Sequence, residues 1–320
     1  MIPALLTTTM TPLATLTAPL TTTSPAAVTT VLSTVTTWLT EPLTYDFMLR
    51  AMAITAVAAF VCALLSCWLI LIGWSLMGDA VSHAVLPGVV LAYIVDLPFA
   101  VGAVAFGLIA VLLIGIVRDT SRIKEDAVIG IVFTALFALG IVLVSVTPSH
   151  VDLGHIVFGN LLGVSPSVLV QVALLAGIVS TVLLLKRRDL MLMAFDPVHA
   201  HAIGLSPRVL SGLLLVMLAL TSVAALQAVG VVLVVAMLII PGATAHLLTD
   251  RFSRMLVIAA TVAVVSSLAG AYLSYWWDTS AGGMVVLAQA AVFALVYLFA
   301  PREGVVTGRI RARRRAAAPA

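Results

Sequence analysis

From Phe47 to Ala300 the chain is a succession of apolar stretches, near 48–71, 76–95, 98–117, 127–146, 168–185, 209–227, 229–248, 255–273 and 284–300. Each is close to the roughly 20 residues that a helix needs to cross a bilayer. A backbone in lipid must satisfy its own hydrogen bonds, so stretches of this length can only be helices. With 62% hydrophobic and 9% charged residues, the chain lacks the polar surface of a soluble domain. The fold class expected is an all-α polytopic membrane protein of about nine helices. The weakest boundary lies at 71–79: Met48 to Met77 is apolar enough to form one long tilted helix, which would leave eight.

The net charge of +3 does not mark a nucleic-acid binder, because all but Arg50 of the 16 Lys and Arg fall in a few short clusters. Arg118, Arg122 and Lys124 form one; Lys186, Arg187, Arg188 and Arg208 a second; Arg251 and Arg254 a third; and Arg302 to Arg315 the last. The positive-inside rule puts all four on the cytoplasmic side. The segments around 147–167 and 274–283 carry neither Lys nor Arg and belong outside, with Tyr275, Trp276 and Trp277 at the outer interface. Nine spans then leave the N-terminus outside and the C-terminus in the cytoplasm. Residues 1–45 are rich in Thr and Pro, uncharged over the first forty, and expected to be a disordered tail. Residues 46–301 form the transmembrane domain, and 302–320 a basic cytoplasmic tail.

Against this apolar background the run MGDAVSHAVLPGVVLAY, Met77 to Tyr93, places Asp79 and His83 one helical turn apart. A carboxylate at mid-bilayer costs roughly 2.5–3.5 kcal/mol on insertion scales, so such a pair points by default to a functional site. Residues four apart share a helix face, and an oxygen and a nitrogen presented together suit a divalent first-row metal such as manganese, iron or zinc. Two ligands are too few for a closed site; a second copy of the chain about a two-fold axis would bring the number to four. Ser82, beside the pair, could add an oxygen. The alternative is structural: Asp79 caps a helix beginning at Ala80 while His83 bonds a neighbouring carbonyl. A metal-binding imidazole must be neutral, so protons compete with the metal.

Pro87-Gly88 and Pro241-Gly242 interrupt apolar stretches and are expected to break their helices, either lining a pathway or reflecting the ordinary tolerance of membrane helices for these residues. His150 and His155, with Asp152, lie in an outer loop; His199 and His201 lie in an inner one; His246 sits near the inner boundary. Each is expected to be an ordinary polar or interfacial residue. Cys62 and Cys67 lie within an apolar stretch and are expected to pack rather than pair. The chain has no phosphate-binding loop, hydrolase nucleophile motif or dinucleotide turn, so it is not expected to be an enzyme, and energy must come from a partner or an ion gradient.

The segments MGDAVSHAVLPGVVLAY, HIVFGNLLGVS, FDPVHAHAIGLSP and VGVVLVVAMLIIPGATAHLLTDRFSR together resemble the signature segments of the zinc/manganese/iron permease family of ABC importers. The resemblance spans most of 47–300 in the family's order. It implies a vitamin-B12-importer-like permease architecture in a bacterial cytoplasmic membrane and a homodimer of permease chains. It also implies separate cytoplasmic ABC ATPase subunits and an extracellular metal-binding lipoprotein that delivers manganese first, or zinc or iron. No permanent cofactor is implied. The family's motif aspartate and histidine fall on Asp79 and His83. Its ATPase contact falls on a short helix expected within Thr244–Arg254, with Thr244, Leu247, Leu248, Asp250, Arg251 and Arg254 as the coupling residues. A secondary metal transporter driven by an ion gradient is the alternative, and a membrane metalloenzyme a more distant one.

Overall fold

The computed structural model describes residues 40–147, 163–300, 304 and 307. The chain divides into two units, Met1–Tyr45 and Asp46–Ala320. Of the first, the described part is a single 3-10 turn, Glu41–Thr44, closed by the Thr44 hydroxyl donating to the Glu41 carbonyl at 2.7 Å. The described residues of the second are helical, with no strand among them. In chain order its helices are α1 (Asp46–Ile72), α2 (Met77–Ala84), α3 (Leu86–Ile94), α4 (Phe99–Thr120), α5 (Glu125–Val146), α6 (Pro166–Leu185), α7 (Arg187–Phe195), α8 (Pro197–Ala202), α9 (Pro207–Val229), α10 (Val231–Leu248), α11 (Phe252–Trp277) and α12 (Ala281–Phe299). Taken as one span, α2 and α3 join eight others, so that nine helical spans among the described residues are long and apolar enough to cross a membrane. His150, Asp152 and His155, most of the N-terminal tail and nearly all of the basic C-terminal tail lie outside the described residues.

The choice between eight and nine spans is decided by Gly73. Its φ of +88° is a left-handed conformation that a side chain would oppose. There α1 ends: the Gly73 N–H donates to the Ile70 carbonyl at 3.3 Å, and the Trp74 N–H reaches back to Leu69 at 2.7 Å. These two bonds are the Schellman closure, with Leu69 and Trp74 buried as its apolar contact. A single long helix through 77 is therefore excluded.

The helix α1 is the hub. Val61 to Leu69 are buried without interruption, so no face of this stretch meets the outside, as expected of a helix apolar all round. It packs against α6, α9, α10 and α11. Cys62 and Cys67 lie unpaired in this core. The peripheral helices α4, α5, α6 and α12 instead leave large apolar side chains uncovered, among them Leu112, Ile131, Leu174 and Leu287. So much open apolar surface suits lipid and not water. Around the second span, α2 packs on α5, α9 and α10, while α3 packs on α4 and α5. That nest of helices positions the candidate site.

Candidate metal pathway at the second span

The second span is short and divided. Its first piece, α2, stops at Ala84; Val85, with φ −76° and ψ −15°, joins it to α3, whose first turn contains Pro87. Proline is tolerated there because its missing N–H would have no partner in a first turn anyway. Gly88 is required for a second reason. A Cβ at Gly88 would run into the Gly102 carbonyl of α4, and one at Gly102 would meet Gly88 and, at 2.7 Å, Ala92. Gly88 and Ala92 are one turn apart, so α3 and α4 touch backbone to backbone along a small-residue seam. The expected interruption at Pro87-Gly88 is thus present, one residue ahead of Leu86.

Asp79 lies in the first turn of α2 rather than at its N-cap, which is Leu76, so the capping role is not the one it plays. Its Oδ1 stands 3.3 Å from His83 Nε2, with side-chain exposures of 36% and 26%. Neither is sealed in the core, so both can be reached. Two donors 3.3 Å apart would subtend roughly 100° at an ion about 2.1 Å from each, an angle acceptable to octahedral and tetrahedral ions alike. Among the described residues no third His, Cys, Asp or Glu joins them. Among the described residues the pair thus presents one carboxylate oxygen and one imidazole nitrogen.

The imidazole of His83 is flanked by two rings of α5, Phe133 with centroids 5.4 Å apart and Phe137 at 5.2 Å and nearly edge-on. These phenylalanines lie 6.0 Å from each other and close to parallel. Their spacing of four puts both on one face of α5, in its middle, and Gly78 likewise lies against Leu238 in the middle of α10. The pair is therefore level with the middle of two neighbouring spans although it belongs to the start of its own. Sequence reasoning missed Phe133 and Phe137; the i, i+4 aromatic pair in VFTALFAL was the available signal. A crevice beside His83 is lined by Ser82, Leu86, Val89, Phe137, Leu226 and Val231. The Ser82 hydroxyl donates to the Gly78 carbonyl at 2.8 Å, so its proton is committed to the helix, and its oxygen is almost fully buried.

Pro241-Gly242 behaves differently from expectation. No break occurs: α10 runs from Val231 through Pro241 to Leu248. Ser66 of α1 supplies the reason. Its hydroxyl accepts from the Gly242 N–H at 3.0 Å and donates to the Ile239 carbonyl at 3.3 Å, serving backbone groups beside the proline. Hydroxyl groups of neighbouring helices are a known means of tolerating proline in membrane spans. The short helix expected within Thr244–Arg254 is also absent as a separate element. Thr244, Leu247 and Leu248 complete α10, Asp250 and Arg251 lie in a tight turn where the Thr249 hydroxyl accepts the Arg251 N–H at 3.3 Å, and Arg254 is already in α11. Asp250, Arg251, Arg254 and His246 are exposed.

The segment that does fold into short helices is 187–202. In it α8 is capped by Asp196, whose Oδ1 accepts the His199 N–H at 2.8 Å. His199 and His201 are exposed there, and Phe195 and Val198 project with exposures of 66% and 79%.

Comparison with known proteins adds a consistent set of relatives. The profile of the ABC 3 transport family matches residues 44–300. The chain is 51% identical over 276 residues to the manganese transport system membrane protein MntB of Synechocystis, a match that covers 86% of this chain and 90% of the relative. It is 44% identical over 275 residues to the chelated iron transport system membrane protein YfeC of Yersinia pestis, covering 86% and 94%. Among solved structures, PsaBC from Streptococcus pneumoniae in complex with Fab matches with a TM-score of 0.75 at 36% identity, over 84% of this chain and 96% of that one.

Proposed function

The chain belongs to the ABC 3 transport family, and from that premise we propose that it is the membrane permease subunit of an ABC importer that carries a divalent transition metal, manganese first and iron or zinc as alternatives. The relatives named for manganese and for iron transport support the class of cargo. The observation that carries the mechanism is the accessible Asp79–His83 pair, 3.3 Å apart beside the interruption of its span.

Two permease chains meet about a two-fold axis, and each contributes its carboxylate and its imidazole to one ion. A mixed oxygen and nitrogen set holds manganese, iron or zinc without the tightness of a closed four-cysteine cage, so the ion can leave. Phe133 and Phe137 brace the imidazole, so a shift of α5 relative to α2 alters the donor geometry. ATP is bound and split on separate cytoplasmic subunits, and an extracellular binding protein delivers the ion. Two inner elements offer themselves to the ATPase: the turn at 249–251 with the end of α10, and the pair α7–α8. The second presents the larger apolar contact, through Phe195 and Val198.

The test is uptake of manganese, iron and zinc, measured in parallel, in cells lacking the chain and restored with the native form or with Asp79→Ala. Rescue of one metal by the native chain alone supports the site and identifies the cargo. Equal rescue by both would remove Asp79 from the pathway. Persistence of uptake when the partner ATPase is disabled would favour the gradient-driven alternative.

A further inference from the structure

Among the described residues, four helices close in the same way: a residue with positive φ is followed by an N–H that reaches back five positions. On α1 these are Gly73, φ +88°, and the Trp74 N–H, 2.7 Å from the Leu69 carbonyl. On α8 they are Gly204, φ +87°, and the Leu205 N–H, 3.0 Å from the Ala200 carbonyl. On α3 and α11 the same place is taken by Asp96, φ +59°, and Asp278, φ +46°, with Leu97 reaching Ala92 at 2.8 Å and Thr279 reaching Ser274 at 3.2 Å. The glycine closures stand on the side of the Lys and Arg clusters: the Trp74 ring lies 5.7 Å from the Arg118 guanidinium, and Gly204 falls between Arg188 and Arg208 in sequence. The aspartate closures stand on the other side, since α4 leads from the turn of Asp96 to Arg118, and α11 leads from Arg251 and Arg254 to Asp278.

Asp is opposed twice at such a closure. A side chain raises the cost of the left-handed backbone, which Gly adopts freely, and a carboxylate there sits at the negative end of the helix dipole. Both aspartates nonetheless stand exposed at the outer ends of their spans. The outer segments near 95–98, 147–167 and 274–283 contain no Lys or Arg, and Arg50, which the charge pattern also puts outside, stands 4.0 Å from Asp46. Resting on the importer reading above, we propose that the two aspartate turns are docking points for the extracellular metal-binding protein, which meets them with Lys or Arg side chains. One carboxylate on each turn is too few to hold a divalent ion, whereas a basic protein surface needs only the charge. Val95 and Leu97 flank Asp96, and Trp277 precedes Asp278; all three are broadly exposed and offer the partner apolar area around each charge. The closures hold the turns in place, and Tyr93 stacks on Phe99 across the first of them at 6.4 Å, so that docking has little to order.

The test is the association rate between the full chain in lipid nanodiscs and the metal-binding lipoprotein of the same importer, made without its lipid anchor. The double variant Asp96→Asn with Asp278→Asn is expected to associate about tenfold more slowly at low salt, the scale of electrostatic steering. The deficit is expected to vanish at about 1 M salt, where charges are screened beyond roughly 3 Å. The double variant Asp96→Gly with Asp278→Gly is expected to show the same deficit while its thermal unfolding is no earlier than that of the native chain, because Gly suits both closures. Native association rates in either double variant, or a deficit undiminished at high salt, would overturn this proposal alone. Absence of binding by the native chain would overturn the delivery-protein reading and this proposal with it.

Discussion

The chain carries Pro-Gly twice at buried positions within membrane spans, and only one of the two interrupts its helix. At Pro87-Gly88 the helix restarts at Leu86 and the proline falls in the new first turn. At Pro241-Gly242 the helix α10 continues, because the Ser66 hydroxyl of α1 accepts the Gly242 N–H and donates to Ile239. The dipeptide is the same and the surroundings differ. At one site a neighbour's hydroxyl meets backbone groups beside the proline, and at the other the proline falls in a first turn, where no N–H is needed. The interrupted span carries the half-buried carboxylate and imidazole beside a crevice. The continuous one is part of the packing around α1.

The largest contrast between the two regions should come from His83→Ala, which is expected to reduce metal uptake to the level of cells lacking the chain while the protein remains in the membrane. Uptake assay and immunoblot check it together, and unchanged uptake would detach the interrupted span from transport. Gly88→Leu comes next. The side chain has no room against Gly102, so α3 must leave α4, and the expected outcome is loss of folded protein, read by size-exclusion chromatography in detergent. Full recovery of a monodisperse peak would mean that the α3–α4 seam yields more easily than its geometry indicates.

On the other side of the comparison, Ser66→Ala leaves the Gly242 N–H without the hydroxyl. A loss of about 1–3 kcal/mol of stability is expected, read by chemical unfolding. No loss would mean that α10 tolerates Pro241 unaided. Phe137→Ala removes one of the rings that brace His83; ring contacts of this kind contribute about 0.5–1.5 kcal/mol, so metal affinity should fall roughly two- to tenfold without loss of the folded chain. The smallest effect belongs to His246→Ala. This residue is exposed near the end of α10, and uptake is expected to stay within about twofold of the native chain, since exposed substitutions away from special features do little.

How legible these features were in the sequence follows from the range over which each is determined. The spans were legible because length and hydropathy are local properties, and their observed limits differ from the expected ones by a few residues. The separation of α1 from α2 was expected but rested on the weakest boundary, since Gly73 looks like any glycine in an apolar stretch until its φ is known. Asp79 and His83 were legible because charge in an apolar span is conspicuous. Their rings of support were not: Phe133 and Phe137 sit in a span already full of apolar residues, and only packing of α5 on α2 shows which face they occupy. Ser66 could not be paired with Gly242 from sequence, because the two are 176 residues apart and nothing local links them. The short helices were expected at Thr244–Arg254, where a charge cluster stood out, whereas the ones observed lie at 187–202, marked locally by prolines at 197 and 207 and a capping Asp196.

The central claim is that Asp79 and His83 hold the transported ion, and electron spin-echo spectroscopy of manganese bound to the purified chain in a lipid bilayer tests it most directly. The account predicts a bound ion with nitrogen coupling from an imidazole, lost in His83→Gln, and weaker binding in Asp79→Asn. Nitrogen coupling that persists in His83→Gln, or binding unchanged in both variants, would contradict it.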